Sequence, residues 1–270
     1  MKQTVKIEQT VKILAVSDVH GDLDKVDLGD CEIVVVAGDV GPDQTAEQRA
    51  KGICIEQASV AWATSAKTIA WFKKHARVRF YILPGNHDAF AKHHDTRKKI
   101  GMAWPENVKL INDKGYVDET GLTIWGMPWN PIHNGHKSKG GAFAADEAKI
   151  LKKCAKISRQ FKVLDILVTH APPSVAEMTG GKGGWHFSAG LKNMLPKLNP
   201  RLVICGHSHN SSHVPVEING GKTTVVNVAL KDSHALLGKG ESFAYKPRQI
   251  TYTVVREVCF ETDMKSDMRL

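Results

Sequence analysis

Five short apolar runs, each followed almost at once by Asp, His or Asn, leave this chain few folds to adopt. The runs are Lys12-Ile13-Leu14-Ala15-Val16, Ile33-Val34-Val35-Val36-Ala37, Phe80-Tyr81-Ile82-Leu83, Ile166-Leu167-Val168 and Leu202-Val203-Ile204-Cys205. They are rich in β-branched residues and too short for ordinary helices, so they predict buried strands. The blocks behind them are Asp18-Val19-His20-Gly21-Asp22, Gly38-Asp39-Val40-Gly41, Gly85-Asn86-His87-Asp88, Thr169-His170-Ala171 and Gly206-His207-Ser208-His209. In an α/β fold the ends of buried strands share one edge, so loops far apart in sequence can place ligands in one crevice. The glycines permit tight turns and close approach of backbone to a ligand.

Between the runs the apolar period changes to that of helices. Residues 43 to 76 carry Ile53, Ala58, Ala61, Trp62, Ile69 and Phe72 at helical recurrence with no internal proline, and Thr45 and Gln48 are spaced as a capping box. One long helix or two are expected there. Residues 144 to 161 predict an amphipathic surface helix, residues 188 to 198 a third, and residues 108 to 111, 122 to 125, 214 to 218, 223 to 228 and 250 to 258 further strands with an antiparallel tail. No linker divides the chain, so residues 1 to 270 read as a single domain, with Gly180-Gly181-Lys182-Gly183-Gly184 as a mobile loop beside the site. The doubled Gln-Thr-Val-Lys-Ile at residues 3 to 7 and 9 to 13 is far shorter than a solenoid unit.

With 42% hydrophobic residues, 270 residues can bury a sizeable core. No run approaches the ~20 apolar residues that span a bilayer, and the start lacks a signal-peptide stretch, so a soluble, cytoplasmic protein without membrane contact is expected. The five cysteines are scattered and form no Cys-x-x-Cys pair, which argues against a disulfide framework or a thiolate zinc site. A net charge of +9 suits an anionic substrate. Nucleic acid is not favoured as a partner, because the lysines are dispersed and Arg97-Lys98-Lys99 reads as a solvated helix face.

Imidazole and oxygen donors without thiolate favour Mn²⁺, Fe, Zn²⁺, Co²⁺ or Ni²⁺. Two such ions ~3.5 to 4 Å apart need a bridging carboxylate. Asp39, alone in the second block, is the natural bridge.

With its five blocks in the order D-x-H, G-D, G-N-H-[DE], H and G-H-x-H, spread over residues 18 to 209, the chain resembles the calcineurin-like metallophosphoesterase superfamily. That resemblance implies an α/β fold, a four-layer α/β/β/α sandwich with two mixed sheets and the site at the strand carboxyl ends. It also implies that Asp18, His20 and His209 hold one divalent ion, Mn²⁺ in the first instance, while Asn86, His170 and His207 hold the other and Asp39 bridges. His87 would be the general acid or charge stabiliser over the substrate, with Asn86 also touching substrate and Asp88 orienting the His87 imidazole and raising its basicity. The implied chemistry is in-line attack of a metal-bound hydroxide on phosphorus.

Protein Ser/Thr phosphatases follow G-D with Asp-Arg-Gly and use G-N-H-E, whereas Gly41-Pro42-Asp43-Gln44 lacks that arginine and Asp88 stands in the Glu position. Thr169-His170-Ala171-Pro172-Pro173, Gly126-Met127-Pro128-Trp129 and Trp185-His186-Phe187-Ser188 resemble the small phosphodiesterase branch acting on cyclic nucleotides and simple aryl diesters. The substrate expected is therefore a small or cyclic nucleotide phosphodiester. A nuclease of the same superfamily, a phosphomonoesterase and a metal-binding scaffold without activity are the alternatives.

His186 is a further candidate substrate contact, and His133 a similar one in an aromatic and proline-rich loop. His75, His93, His94, His136, His213 and His234 read as surface residues. Asp22, Asp24 and Asp43 read as turn formers or caps, and Trp125 and Trp129 as packing residues rather than a base-stacking platform.

Overall fold

The predicted strands form because each run can bury both of its faces. A computed structural model of the chain describes residues 2–132, 141–179, 186–209, 214–229 and 248–261. The strands are β1 (Lys2–Val16), β2 (Ile33–Ala37), β3 (Arg79–Leu83), β4 (Val108–Leu110), β5 (Lys114–Val117), β6 (Thr123–Met127), β7 (Asn130–Pro131), β8 (Ala144–Ala145), β9 (Ile166–Thr169), β10 (Leu202–Cys205), β11 (Val216–Ile218), β12 (Thr223–Asn227) and β13 (Arg248–Glu261). The helices are α1 (Ala46–Ala50), α2 (Ile55–Ala63), α3 (Ala66–Lys74), α4 (His94–Ala103), α5 (Glu147–Gln160), α6 (Ala176–Thr179) and α7 (Ala189–Leu198).

One sheet has the order β13-β1-β2-β3-β4, parallel from β1 to β4 with β13 antiparallel at its edge. The other has the order β11-β12-β10-β9-β6-β5, with a parallel centre and antiparallel edges. Both sheets are mixed. β7 and β8 form a small separate pair.

Side chains alternate across each pleat, and that alternation builds the layers. Leu14, Val16, Val34, Val36, Phe80 and Ile82 face outward against Phe72 of α3, Ile100 of α4, Phe90 and Trp104. Their strand neighbours Ile13, Ala15, Ile33, Val35, Ala37 and Leu83 face inward and meet Ile124, Ile166, Val168, Ile204 and Val226 of the second sheet. On that sheet's far face Leu167, Val203 and Val225 pack against Ile150, Cys154 and Ile157 of α5 and Leu191 and Leu195 of α7. Three apolar layers between four layers of structure make the α/β/β/α sandwich.

At the end of the sandwich away from the ligand blocks, buried polar groups tie the sheets together. Asp118 accepts from Arg79 Nη1 and Tyr81 Oη, both at 2.7 Å. Asp165 accepts from Thr123 Oγ1 at 2.7 Å and from Tyr252 Oη of β13 at 3.2 Å.

The helical stretch at residues 43 to 76 is three helices, not one or two. The Thr45–Gln48 capping box starts α1 as the spacing predicts. Gly52, at φ +69°, follows its end, and Ser65 caps α3 by accepting from Thr68 N at 3.1 Å. Local hydroxyl and glycine chemistry thus interrupts an apolar period that runs on through it. The helix expected from residue 144 begins only at Glu147, where Asp146 accepts from Lys149 N at 2.7 Å. The Gly180 to Gly184 loop, His133, His136, His213 and His234 lie outside the described residues. Among the described residues no helix is long and apolar enough to cross a membrane.

Candidate dinuclear metal centre

Each ligand block begins where a central strand runs out, and the strand order brings all five to one edge. Asp18 and His20 follow β1, Asp39 follows β2, and Asn86 and His87 follow β3 of the first sheet. His170 follows β9, and His207 and His209 follow β10 of the second. The sheets meet there through a bridge between Ser17 and Ala229.

The chain bends sharply at these ends. Asp18 (φ 59°), His20 (φ 42°), Asp39 (φ 50°) and His207 (φ 64°) all occupy the left-handed region, which costs non-glycine residues of order 1–3 kcal/mol. Backbone bonds hold the bends: Asp18 N donates to Gly38 O at 2.9 Å, His20 N to Asp39 O at 3.0 Å and Gly21 N to Val40 O at 2.8 Å.

The ligand-block donors gather in two groups, and His20, Asp43 and His87 form a third that shares His20 with the first. Asp18, His20 and His209 offer atoms within 4.8 Å of one another, and so do Asp39, His170 and His207. In the first, His209 Nε2 lies 3.3 Å from Asp18 Oδ1. In the second, His170 Nε2 lies 3.2 Å from Asp39 Oδ2 and 2.9 Å from Asn86 Oδ1. His207 N donates to Asp18 Oδ2 at 3.0 Å and so joins the groups.

The second group has the donor chemistry a cation requires. His170 Nδ1 sits 2.8 Å from Ala37 O and must carry a proton to bond it, which turns Nε2 toward two oxygen acceptors. Three such atoms converging at these distances suit a positive charge among them. Burial opposes a charge on His170, yet Asp39 outweighs it and raises the imidazole to about 9. Burial likewise opposes His20, which Asp43, Asp39 and Asp18 raise to about 9. Burial and the neighbouring His170 instead push His207 down to about 3, leaving it a neutral donor. In the first group, Asp18 Oδ1 and His20 Nδ1 are buried with no hydrogen bond of good geometry. Both groups fit divalent ions of the imidazole and carboxylate class.

His87 stands beside the second group, its backbone N donating to Asp39 Oδ1 at 2.8 Å. Its Nδ1 pairs with Asp43 Oδ1 at 2.5 Å, and this bond is the main cause of its raised pKa. Here two expectations are corrected. Asp88 does not orient His87: its carboxylate is fully buried and turned away, accepting from the backbone N of Gly41 (2.7 Å), Gly85 (2.8 Å) and Val40 (3.1 Å). It holds the second and third blocks against each other. Asp43, read as a turn former, is the partner of His87 instead. Its signal was its place on the Asp39 loop, where Pro42 narrows the backbone's choices.

The other readings divide similarly. Asp24 pairs with Lys67 at 2.8 Å and Asp22 with Lys25 at 3.0 Å, on the surface. His93 and His94 are exposed, while His75 is half-buried against Trp71. Trp125 is core, and Trp129 donates Nε1 to Asp113 under the ammonium of Lys149. His186 approaches a ligand block, with Nδ1 3.3 Å from His207 Nε2.

A Cβ built on Gly38, whose φ is +105°, would stand 2.1 Å from His170 Nδ1. Gly38→Ala should therefore displace His170 and destabilise the fold by at least ~1–3 kcal/mol from backbone strain alone. Thermal melting with metal analysis checks this, and an unshifted melt at full metal content would contradict it.

Residues 11–211 match the family model for calcineurin-like phosphoesterases. The chain belongs to that family. This calcineurin-like phosphoesterase is 22% identical over 224 residues to UPF0046 protein K07C11.7 of Caenorhabditis elegans, covering 81% of this chain and 69% of the worm protein. Its fold resembles that of TT1561 from Thermus thermophilus, with a TM-score of 0.57 at 16% identity over 82% of this chain and 90% of the other. A further crystal structure aligns with a TM-score of 0.63 at 16% identity over 94% of this chain and 100% of its own. Metal-dependent phosphoester hydrolysis is the family's activity, and the phosphoesterase here has the ligand groups to support it.

Proposed function

We propose that this phosphoesterase hydrolyses a phosphodiester, of the small or cyclic nucleotide class, with two divalent ions, Mn²⁺ first among them. Asp18, His20 and His209 would hold one ion and Asn86, His170 and His207 the other, with Asp39 between them. When bound, the ions supply Lewis-acid charge to phosphoryl oxygens and lower the pKa of water.

The observation that carries the reading is His87, paired to Asp43 on one nitrogen beside the second donor group. Asp43 holds the ring and raises its pKa, and Nε2, 4.0 Å from Asp39 Oδ2, would protonate the departing oxygen. Asp39 Oδ1 accepts from the backbone N of the same residue, which ties the proposed acid to the carboxylate of the second group. The five blocks contain no arginine. A phosphomonoester dianion calls for such a clamp, whereas a diester carries a single negative charge. Cys31, Cys54, Cys154 and Cys205 are free thiols, which suits the reducing cytoplasm.

The test is hydrolysis of bis-p-nitrophenyl phosphate against p-nitrophenyl phosphate by metal-stripped protein, with Mn²⁺, Ni²⁺, Zn²⁺ or Mg²⁺ returned singly. Metal-dependent cleavage should favour the diester at least tenfold, about 1.4 kcal/mol in transition-state binding. A monoester preference would reverse the substrate assignment, and no turnover with any metal would leave the scaffold reading in its place.

A further inference from the structure

We propose that His186 is a positioning residue for His207: by pairing with His207 Nε2 it presents His207 Nδ1 to the second metal ion. The inference rests on the dinuclear reading above and assigns an atom and a residue that the ligand blocks leave open.

The geometry begins with two nitrogens. His186 Nδ1 and His207 Nε2 lie 3.3 Å apart, with the rings edge to face and their centroids at 5.0 Å. Between two neutral imidazoles such a contact is a hydrogen bond in which one nitrogen carries the proton and the other accepts it. With Nε2 engaged in that bond, Nδ1 is the ring nitrogen of His207 left to meet a metal ion. His186 is not a member of the group that Asp39, His170 and His207 form within 4.8 Å, which suits a partner of His207 rather than a further ligand. His207 Nδ1 is then the ligating atom, and Nε2–H donates to His186 Nδ1. A ligating histidine is commonly fixed through its other ring nitrogen in this way, His170 and Ala37 O being the parallel case in the same group.

The approach of His186 is built into the backbone. Ser188, two residues on, donates N to Pro172 O at 2.9 Å and accepts from Ser174 N at 3.0 Å, which ties the segment to the chain just beyond His170. Ser188 Oγ caps α7 by accepting from Leu191 N at 3.0 Å and also donates to Glu147 Oε2 at 2.9 Å. Glu147 further accepts from the backbone N of Ala189 and Gly190, pinning the start of α7 to the start of α5. Phe187 is buried in the same apolar layer. These contacts deliver the segment bearing His186 to His207.

The experiment titrates Mn²⁺ into metal-stripped wild-type, His186→Ala and His186→Asn protein by calorimetry, with thermal melts of the metal-free forms and KM and kcat for bis-p-nitrophenyl phosphate. Wild type should bind two ions. His186→Ala should bind the first with unchanged affinity and the second about 10- to 100-fold more weakly, the usual loss when such a partner is removed. His186→Asn, whose amide oxygen still accepts, should recover most of that loss. Equal loss of the second ion in both variants would make His186 a direct ligand and overturn the proposal. Full retention of both ions, with or without a raised KM, would overturn it as well. Wild-type protein that binds fewer than two ions would sink the dinuclear reading itself, and the proposal with it.

Discussion

Asp39→Ala should lose turnover by about 10³-fold or more and retain at most one of two divalent ions, because this carboxylate belongs to the His170 and His207 group and is the one proposed to bridge to the other ion. It is 2% exposed, with Oδ2 3.2 Å from His170 Nε2 and Oδ1 accepting the His87 N–H. Removing it strips His170 of its nearest counter-charge and leaves a buried N–H without its acceptor. Asp39→Asn separates these effects, since an amide keeps the hydrogen bond to His87 N and loses only the charge. Metal content after dialysis should be low in both variants, with the melting temperature of the metal-free protein falling further for alanine. Two ions retained by Asp39→Ala would remove this residue from the metal centre.

His87→Asn should instead keep both ions and lose about 10²- to 10⁴-fold in kcat, the usual contribution of a general acid. The loss should depend on the leaving group. A diester that expels p-nitrophenolate needs little protonation of the departing oxygen, while one that expels an alkoxide needs a great deal, so the variant should suffer more on the alkyl ester. Asp43→Asn should shift kcat in the same direction by less, since His87 loses its hydrogen-bonded anion but stays in place. Asp43 Oδ1 also lies 3.4 Å from His20 Nδ1, so metal content must be measured alongside. Equal losses on both leaving groups would make His87 a charge stabiliser rather than a proton donor.

The strands and ligand blocks were legible because each is local: an apolar run announces its burial, and a turn behind it carries the donors. The pairing of His87 was not. Its neighbour Asp88 is adjacent in the chain, but one step along a tight turn points a side chain elsewhere, and three backbone N–H groups claim that carboxylate. The actual partner, Asp43, lies 44 residues back on another loop. The division of residues 43 to 76 into three helices was hidden for a related reason. Ser65 and Gly52 interrupt the backbone without disturbing the apolar period on which the longer helix was predicted. β5 escaped notice because Lys114-Gly115-Tyr116-Val117 is an edge strand with little burial to record.

Neither the Asp18 group nor the Asp39 group belongs to one sheet. Asp18 and His20 come from the first and His209 from the second, while Asp39 comes from the first and His170 and His207 from the second. An ion in either group would therefore rivet the two sheets at this edge, as Asp118 and Asp165 do at the other. What sets the gap between rivets is the apolar filling of Ile13, Val35, Ile166 and Ile204. Those side chains touch no phosphate and hold no proton, yet their bulk sets the distance between the sheets that carry the donors, so a methyl group gained or lost there should shift the spacing of the donor groups.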